Sequence, residues 1–214
     1  MKYKVFVFDW DGTLVDSENH IVSSLMHAAQ EMGLPSRTYD ENKNIIGLGM
    51  SEALLDLYPR LGDDELASMK RFYSNYFYSA DVEQGALFED VLSVLSELKL
   101  EGVKLAVATG KSRKGLDLAL KTMGLSSFFD IERCADESKS KPDPLMLQQI
   151  CDFYACHPEQ MVMIGDTEYD LEMAANIGMD SIGVSYGVHE VDRLLRHKPV
   201  RIIDHFSEIL TFIN

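Results

Sequence analysis

Short apolar runs recur along the chain, each closed by a polar residue or a glycine. They predict strands at Lys4–Phe8, Lys104–Thr109, Phe129–Cys134, Met161–Gly165 and Ser181–Tyr186, with a weaker one at Val200–Asp204. Most of these runs are continuous rather than alternating, which suits strands buried on both faces of a parallel sheet. Between them the apolar spacing turns helical. Val91, Val94, Leu95 and Leu98 share one stripe within Asp90–Leu100, and Leu116, Leu120 and Met123 share another within Arg113–Met123. Pro144–Tyr154 carries Leu147, Ile150, Cys151 and Tyr154, and Asp170–Ile177 ends at Gly178. Shorter helices are expected at Val191–Arg196 and Ser207–Phe212. Strand and helix in alternation indicate an α/β fold, a doubly wound parallel sheet.

One stretch breaks the alternation. Residues 18 to about 82 hold no strand pattern. Ile21, Leu25, Ala28, Ala29 and Met32 follow helical spacing up to a stop at Gly33-Leu34-Pro35. After a polar segment and Ile45-Ile46-Gly47-Leu48-Gly49-Met50, helices are expected at Ser51–Tyr58, with Ser51 as a candidate N-cap, and at Asp63–Tyr78. In the latter, Phe72, Tyr73, Tyr76, Phe77 and Tyr78 are expected to lie mostly in the core. The chain therefore divides into a core of residues 1–17 and 83–214 and a helical insertion at 18–82.

Composition narrows the partners. With 214 residues, 46% of them hydrophobic, there is enough material for one large core with a modest insertion. The formal charge of −15 disfavours nucleic acid and anionic membranes, and it requires local cations or a metal wherever a phosphate is to bind. Cys134, Cys151 and Cys156 lack CxxC spacing, which fits a reduced, cytoplasmic protein. No apolar run is long enough to span a bilayer, and Met1-Lys2 leads straight into a strand pattern rather than a signal peptide.

The candidate chemistry sits at strand ends, where open α/β sheets place their ligands. Phe8-Asp9-Trp10-Asp11-Gly12-Thr13-Leu14-Val15-Asp16-Ser17 puts two carboxylates at i, i+2 directly after the first strand. Two acids, the carbonyl between them and a hydroxyl could hold a hard cation and a phosphate, and a solvated Asp-Gly turn would look the same. Thr109-Gly110-Lys111-Ser112 reads either as an anion cradle or as an ordinary capped turn. In Lys139-Ser140-Lys141-Pro142-Asp143-Pro144, Lys141 could neutralise an anion, although taken alone it reads as a solvated loop lysine. Gly165-Asp166-Thr167-Glu168-Tyr169-Asp170 offers two acids suited to Mg²⁺ or to helix capping.

Taken together and in order, Asp9–Ser17, Thr109-Gly110, Lys141-Pro142 and Gly165–Asp170 resemble the haloacid dehalogenase superfamily. Within it they are most similar to phosphoglycolate phosphatase-like proteins, which carry a helical cap after the first strand. The resemblance spans nearly the whole chain. It implies a Mg²⁺-dependent phosphatase acting on a small phosphate monoester, phosphoglycolate being one candidate among many, through an aspartyl-phosphate. Asp9 would be the nucleophile and Asp11 the general acid and base. Asp9, Asp166 and the carbonyl of Asp11 would hold Mg²⁺, with Asp170 in support, either touching the ion or acting through a neighbour. Thr109, Gly110 and Lys141 would bind the phosphoryl group. The insertion would act as the cap, with Gly47-Leu48-Gly49 facing the site or merely joining helices. Arg37, Lys43 and Arg60 are the cap cations that could meet a substrate anion, although isolated charges on a helical unit are expected simply at the surface, and His20 and His27 are expected at the surface or the cap hinge rather than as catalysts.

Three other functions remain open on this scaffold. A sugar-phosphate mutase needs a second phosphate site, for which no cluster of cap cations is evident. A dehalogenase needs neither the second acid nor a metal, and a non-catalytic binding protein needs none of these side chains. The expected partner is a small phosphate ester, with no nucleic acid or membrane, and the expected state is a monomer or weak dimer.

Overall fold

The computed structural model describes residues 2–79 and 85–213. Strand β1 (Val5–Phe8) is the pivot of a six-stranded parallel sheet with β4 (Lys104–Thr109), β5 (Ile131–Cys134), β6 (Met161–Gly165), β7 (Asp180–Val184) and β8 (Arg201–Ile203). The order is β5-β4-β1-β6-β7-β8, so β1 lies between β4 and β6. Phe8 is in register with both Val107 and Ile164, which brings the carboxyl ends of the three central strands level with one another.

Side chains alternate along β1 as a strand requires. Phe6 and Phe8 enter one core with α5 (Val91–Leu100), α6 (Arg113–Thr122) and Phe206 and Ile209 of a terminal 3-10 turn. Val5 and Val7 enter the other with α7 (Leu145–Tyr154) and α8 (Glu168–Ala175). Burial on both faces explains the continuous apolar runs. The predicted 207–212 helix is a 3-10 segment, Phe206–Phe212, and the one at 191–196 divides into α9 (Val191–Leu194) and a 3-10 turn.

Residues 18–77 form α1 (Glu18–Glu31), α2 (Tyr39–Asn44), α3 (Met50–Leu57) and α4 (Asp63–Phe77). Their apolar faces enclose a third cluster around Leu25, Ala28, Leu54 and Met69, which Val188 joins from the sheet side. Two features here go beyond the sequence reading. Helix α2 lies in the stretch read only as polar, and it starts at a reciprocal capping box between Thr38 and Glu41. A two-stranded antiparallel ribbon, β2 (Val15–Asp16) with β3 (Ala86–Leu87), ties the exit toward the helices to the return from them. The expected division at 82/83 lies outside the described residues. Helix α3 begins after Gly49, so Ser51 is inside the helix and is not its N-cap.

Candidate active site

The sheet delivers Asp9 because β1 continues hydrogen bonding for one residue past its end: the Asp9 N–H donates to the Ile164 carbonyl at 2.9 Å. The chain then coils tightly around buried Trp10, whose carbonyl accepts the N–H groups of Leu14 and Val15. Gly12 makes this turn at φ +81°, and a Cβ there would overlap the Asp166 carboxylate. Thr13 leaves the same turn and donates its hydroxyl to Asp166 Oδ1 at 2.8 Å.

Four buried charges meet at this point. Lys141 Nζ lies 2.5 Å from Asp9 Oδ1 and 2.6 Å from Asp170 Oδ1, the latter an ion pair off the line of a good hydrogen bond. The lysine side chain is 0% exposed, so it is not the solvated loop lysine its local sequence suggested. Asp170 Oδ2 accepts from the Thr167 N–H and hydroxyl, and Asp166 Oδ2 accepts from the Val188 N–H at 2.9 Å. Among the described residues, Asp170 Oδ1 has only its ion pair with Lys141, and Asp9 Oδ2 has neither a hydrogen bond nor an ion pair.

Burial sets the proton affinities here. It pushes the Asp9 carboxyl well above its usual range, an effect that Lys141 opposes and that Asp170 and Asp166 reinforce. Burial and then Asp170 raise Asp166 to about 7, against the pull of the Val188 N–H, the Thr13 hydroxyl and Lys141. For Lys141, burial alone would lower the ammonium's affinity for its proton, but Asp170 and Asp9 outweigh it and the net shift is upward.

A divalent cation fits this arrangement. Oxygens of Asp9, Asp166 and Asp170 all come within 4.8 Å of one another, three carboxylates face one ammonium, and the orphaned oxygen belongs to Asp9. Oxygen donors with carboxylate charge suit Mg²⁺.

The second acid of the motif has partners of its own. Asp11 accepts the Ser17 hydroxyl at Oδ1 (2.6 Å), and its Oδ2 lies 3.0 Å from Lys111 Nζ. Next to it, buried Thr109 accepts the Lys111 N–H. Gly110 lies directly under the Gly47-Leu48-Gly49 turn, and a Cβ at Gly110 would overlap the Leu48 carbonyl oxygen. That turn therefore faces the site, and with Asp9, Asp11 and Gly110 it borders a small cavity of about 60 Å³.

The sequence profile of the haloacid dehalogenase-like hydrolases matches residues 6–184. The chain belongs to this family. A relative named "Probable phosphatase IndB", from Dickeya dadantii, is 34% identical over 95% of this chain and 90% of its own. The pyrophosphatase PpaX of Bacillus mycoides is 27% identical over 100% and 98%. A solved structure described as a "predicted phosphoglycolate phosphatase" from Haemophilus somnus superposes with a TM-score of 0.89 at 27% identity, covering 100% of this chain and 99% of the other.

In this haloacid dehalogenase-like hydrolase, several side chains at the site carry no clear signal in the sequence. Lys111 was read only as part of an anion cradle, and its pairing with Asp11 arises from the fold. A second group fastens the helices to the sheet. Arg193 donates to Asn44 Oδ1 (2.5 Å) and pairs with Glu168, and the Tyr169 hydroxyl donates to the Asn44 carbonyl (3.0 Å). His189 Nδ1 accepts the Glu168 N–H at 3.0 Å, and its Nε2 lies 3.3 Å from the same Asn44 carbonyl.

Other expectations sort differently. Arg37 pairs with Glu41 and Lys43 with Glu18, so neither reaches the site. His20 is buried and stacks on Phe77 with ring centroids 3.9 Å apart, at the seam of α1 and α4 rather than on the surface; His27 stacks on Tyr76 in the same seam. Of the five aromatics expected mostly in the core, only Tyr73 is buried. Phe77 and Tyr78 border a cavity because α4 has its core on one side and the sheet-bearing unit on the other.

No helix among the described residues is long and apolar enough to cross a membrane.

Proposed function

We propose that this hydrolase is a Mg²⁺-dependent phosphatase acting on a small phosphate monoester through an aspartyl-phosphate, with residues 18–82 as a cap over a core of 1–17 and 83–214. The observation that carries the reading is the state of Asp9. One oxygen is fixed by Lys141, and the other is buried without a partner beside a second strand-end carboxylate.

Asp9 and Asp166, with the Asp11 carbonyl, are the groups that would hold Mg²⁺. Asp170 is assigned a supporting part because both its oxygens already serve Lys141 and Thr167. Bound there, Mg²⁺ supplies the positive charge that lets an anionic carboxylate approach an anionic phosphate. A carboxylate oxygen of Asp9 attacks phosphorus as the bond to the leaving oxygen breaks. Asp11, two residues on and turned toward the cavity, gives its proton to that oxygen. It then takes a proton from the water that releases phosphate from Asp9. Lys141 offsets the charge that builds up on the nucleophile and the transferring group, while the Thr109 hydroxyl and the Gly110 N–H bind phosphoryl oxygens. Closure of the Gly47–Gly49 turn over Gly110 keeps bulk water out during transfer.

The test is phosphate release from a panel of small phosphate esters, with Mg²⁺ or with EDTA, by wild type and Asp9→Asn. Release that needs Mg²⁺ and disappears in Asp9→Asn is expected. Release that persists in the variant removes Asp9 from the chemistry.

A further inference from the structure

A cavity of about 330 Å³ lies between the helices and the sheet-bearing unit, bordered by Met50, Lys70, Tyr73, Phe77, Gly110 and Lys111 among others. It adjoins the small cavity that holds Asp9 and Asp11, since Met50, Tyr73, Gly110 and Lys111 line both. A phosphate held at Asp9 would therefore point its leaving half this way.

Two half-buried lysines face this space. Lys70, on α4, donates to the Ser51 hydroxyl at 2.5 Å, and no carboxylate lies within ion-pairing distance of it among the described residues. In a chain of formal charge −15, a partly desolvated ammonium without an acid is conspicuous. Lys111 reaches in from the opposite unit, its Nζ 3.0 Å from Asp11 and 5.1 Å above the Phe77 ring. The two acids that also border the cavity, Glu52 and Asp136, are exposed at its rim, and Asp136 Oδ1 is occupied by the Arg113 N–H.

We propose that Lys70 and Lys111 form a two-cation subsite for an anionic group on the leaving half of the substrate, so that preferred substrates carry a second negative charge beside the phosphate. The proposal rests on the phosphatase reading and names its substrate class. An ammonium only donates, so two of them facing one space select an acceptor that is itself charged. Lys111 has a long, flexible stem and exchanges Asp11 for the substrate's anion, which leaves the Asp11 carboxyl to face the leaving oxygen. Substrate binding thereby rearranges the acid only when the anion is present.

The experiment compares kcat/KM for 2-phosphoglycolate (a carboxylate on the leaving half), inorganic pyrophosphate (a phosphoryl group there) and ethyl phosphate (neutral), in wild type, Lys70→Gln and Lys70→Arg. Wild type is expected to prefer at least one charged substrate over ethyl phosphate by roughly tenfold or more, the range of a charge-assisted hydrogen bond. In Lys70→Gln that ratio collapses toward one, mainly through KM, and Lys70→Arg keeps it. The better charged substrate identifies the anion as carboxylate or phosphoryl. Equal use of all three by wild type, or a ratio that survives Lys70→Gln, overturns the two-lysine subsite alone. No phosphate release from any of the three with Mg²⁺ overturns the phosphatase reading and the subsite with it.

Discussion

On the sheet side of the site every carboxylate oxygen but one has a fixed partner. Asp9, Asp166, Asp170 and Lys141 lie at 0 or 1% exposure, held by Thr13, Thr167 and the Val188 N–H. Where the helices face the sheet unit the charges are half-buried and singly held, with Lys70 of α4 on one hydroxyl and Lys111, from the sheet unit just past β4, on one carboxylate. The difference separates two tasks. Attack on phosphorus needs a nucleophile fixed to within a fraction of an ångström, and only a packed strand end supplies that. Choice of the leaving group needs side chains that can change partner, which a second unit resting on the first through Asn44, Tyr169, His189 and Arg193 allows.

The comparison breaks most visibly at Asp9. Asp9→Asn should lower kcat by roughly 10⁴-fold or more while the protein stays folded, as loss of a nucleophile does. Asp11→Asn should lower it by about 10²–10⁴-fold, the range for a general acid. Steady-state rates beside circular dichroism spectra check both. If the sheet side is as fixed as described, Lys141→Met should destabilise by about 3–5 kcal/mol in urea unfolding, because it strands Asp9 and Asp170 as buried, unpaired acids. Lys70→Gln, on the loosely held side, should change stability by less than about 1 kcal/mol.

Gly110→Ala probes the contact between the two sides. Its Cβ overlaps the Leu48 carbonyl oxygen, so the helices must lift, and kcat/KM should fall by about a hundredfold with little change in melting temperature.

Proton linkage sharpens the contrast further. Asp9 is raised and Asp166 is raised to about 7, so the metal-free native state binds protons that the unfolded chain has already lost near about pH 4. These two groups therefore make the apo protein less stable as pH rises through about 4 to 7. Added Mg²⁺ should raise the melting temperature more at about pH 8 than at about pH 6, because protons compete for the same oxygens. A Mg²⁺ effect independent of pH contradicts this. Within the helical unit but away from the reacting groups, Thr38→Ala removes the cap of α2 and should cost about 1 kcal/mol in urea unfolding.

The sheet side was legible because its chemistry is local in sequence. An apolar run followed at once by Asp9, Thr109 or Asp166 states both the strand and the residue it presents. Lys141 needed the family resemblance, since a lysine between Ser140 and Pro142 looks solvated until the fold closes over it. The contacts away from the strand ends were harder to read. The link from Arg193 to Asn44, the pairing of Lys111 with Asp11 and the meeting of β2 with β3 join residues distant in sequence, with no periodicity to announce them. Lys70 was passed over for Arg37, Lys43 and Arg60 because one lysine on an amphipathic helix looks like any other. Helix α2 was recoverable, since Thr38-x-x-Glu41 is a capping-box pattern.

The central claim is that phosphorus passes through a covalent bond to Asp9. It is tested most directly by acid-quenching the enzyme during turnover of a substrate identified by phosphate release, then mapping phosphorylated peptides by mass spectrometry. The account predicts a hydroxylamine-labile phosphoryl adduct on the peptide that carries Asp9, dependent on Mg²⁺ and enriched in Asp11→Asn, where release of phosphate from Asp9 is slowed. Turnover with the adduct on another residue, or undiminished turnover in Asp9→Asn, would contradict it.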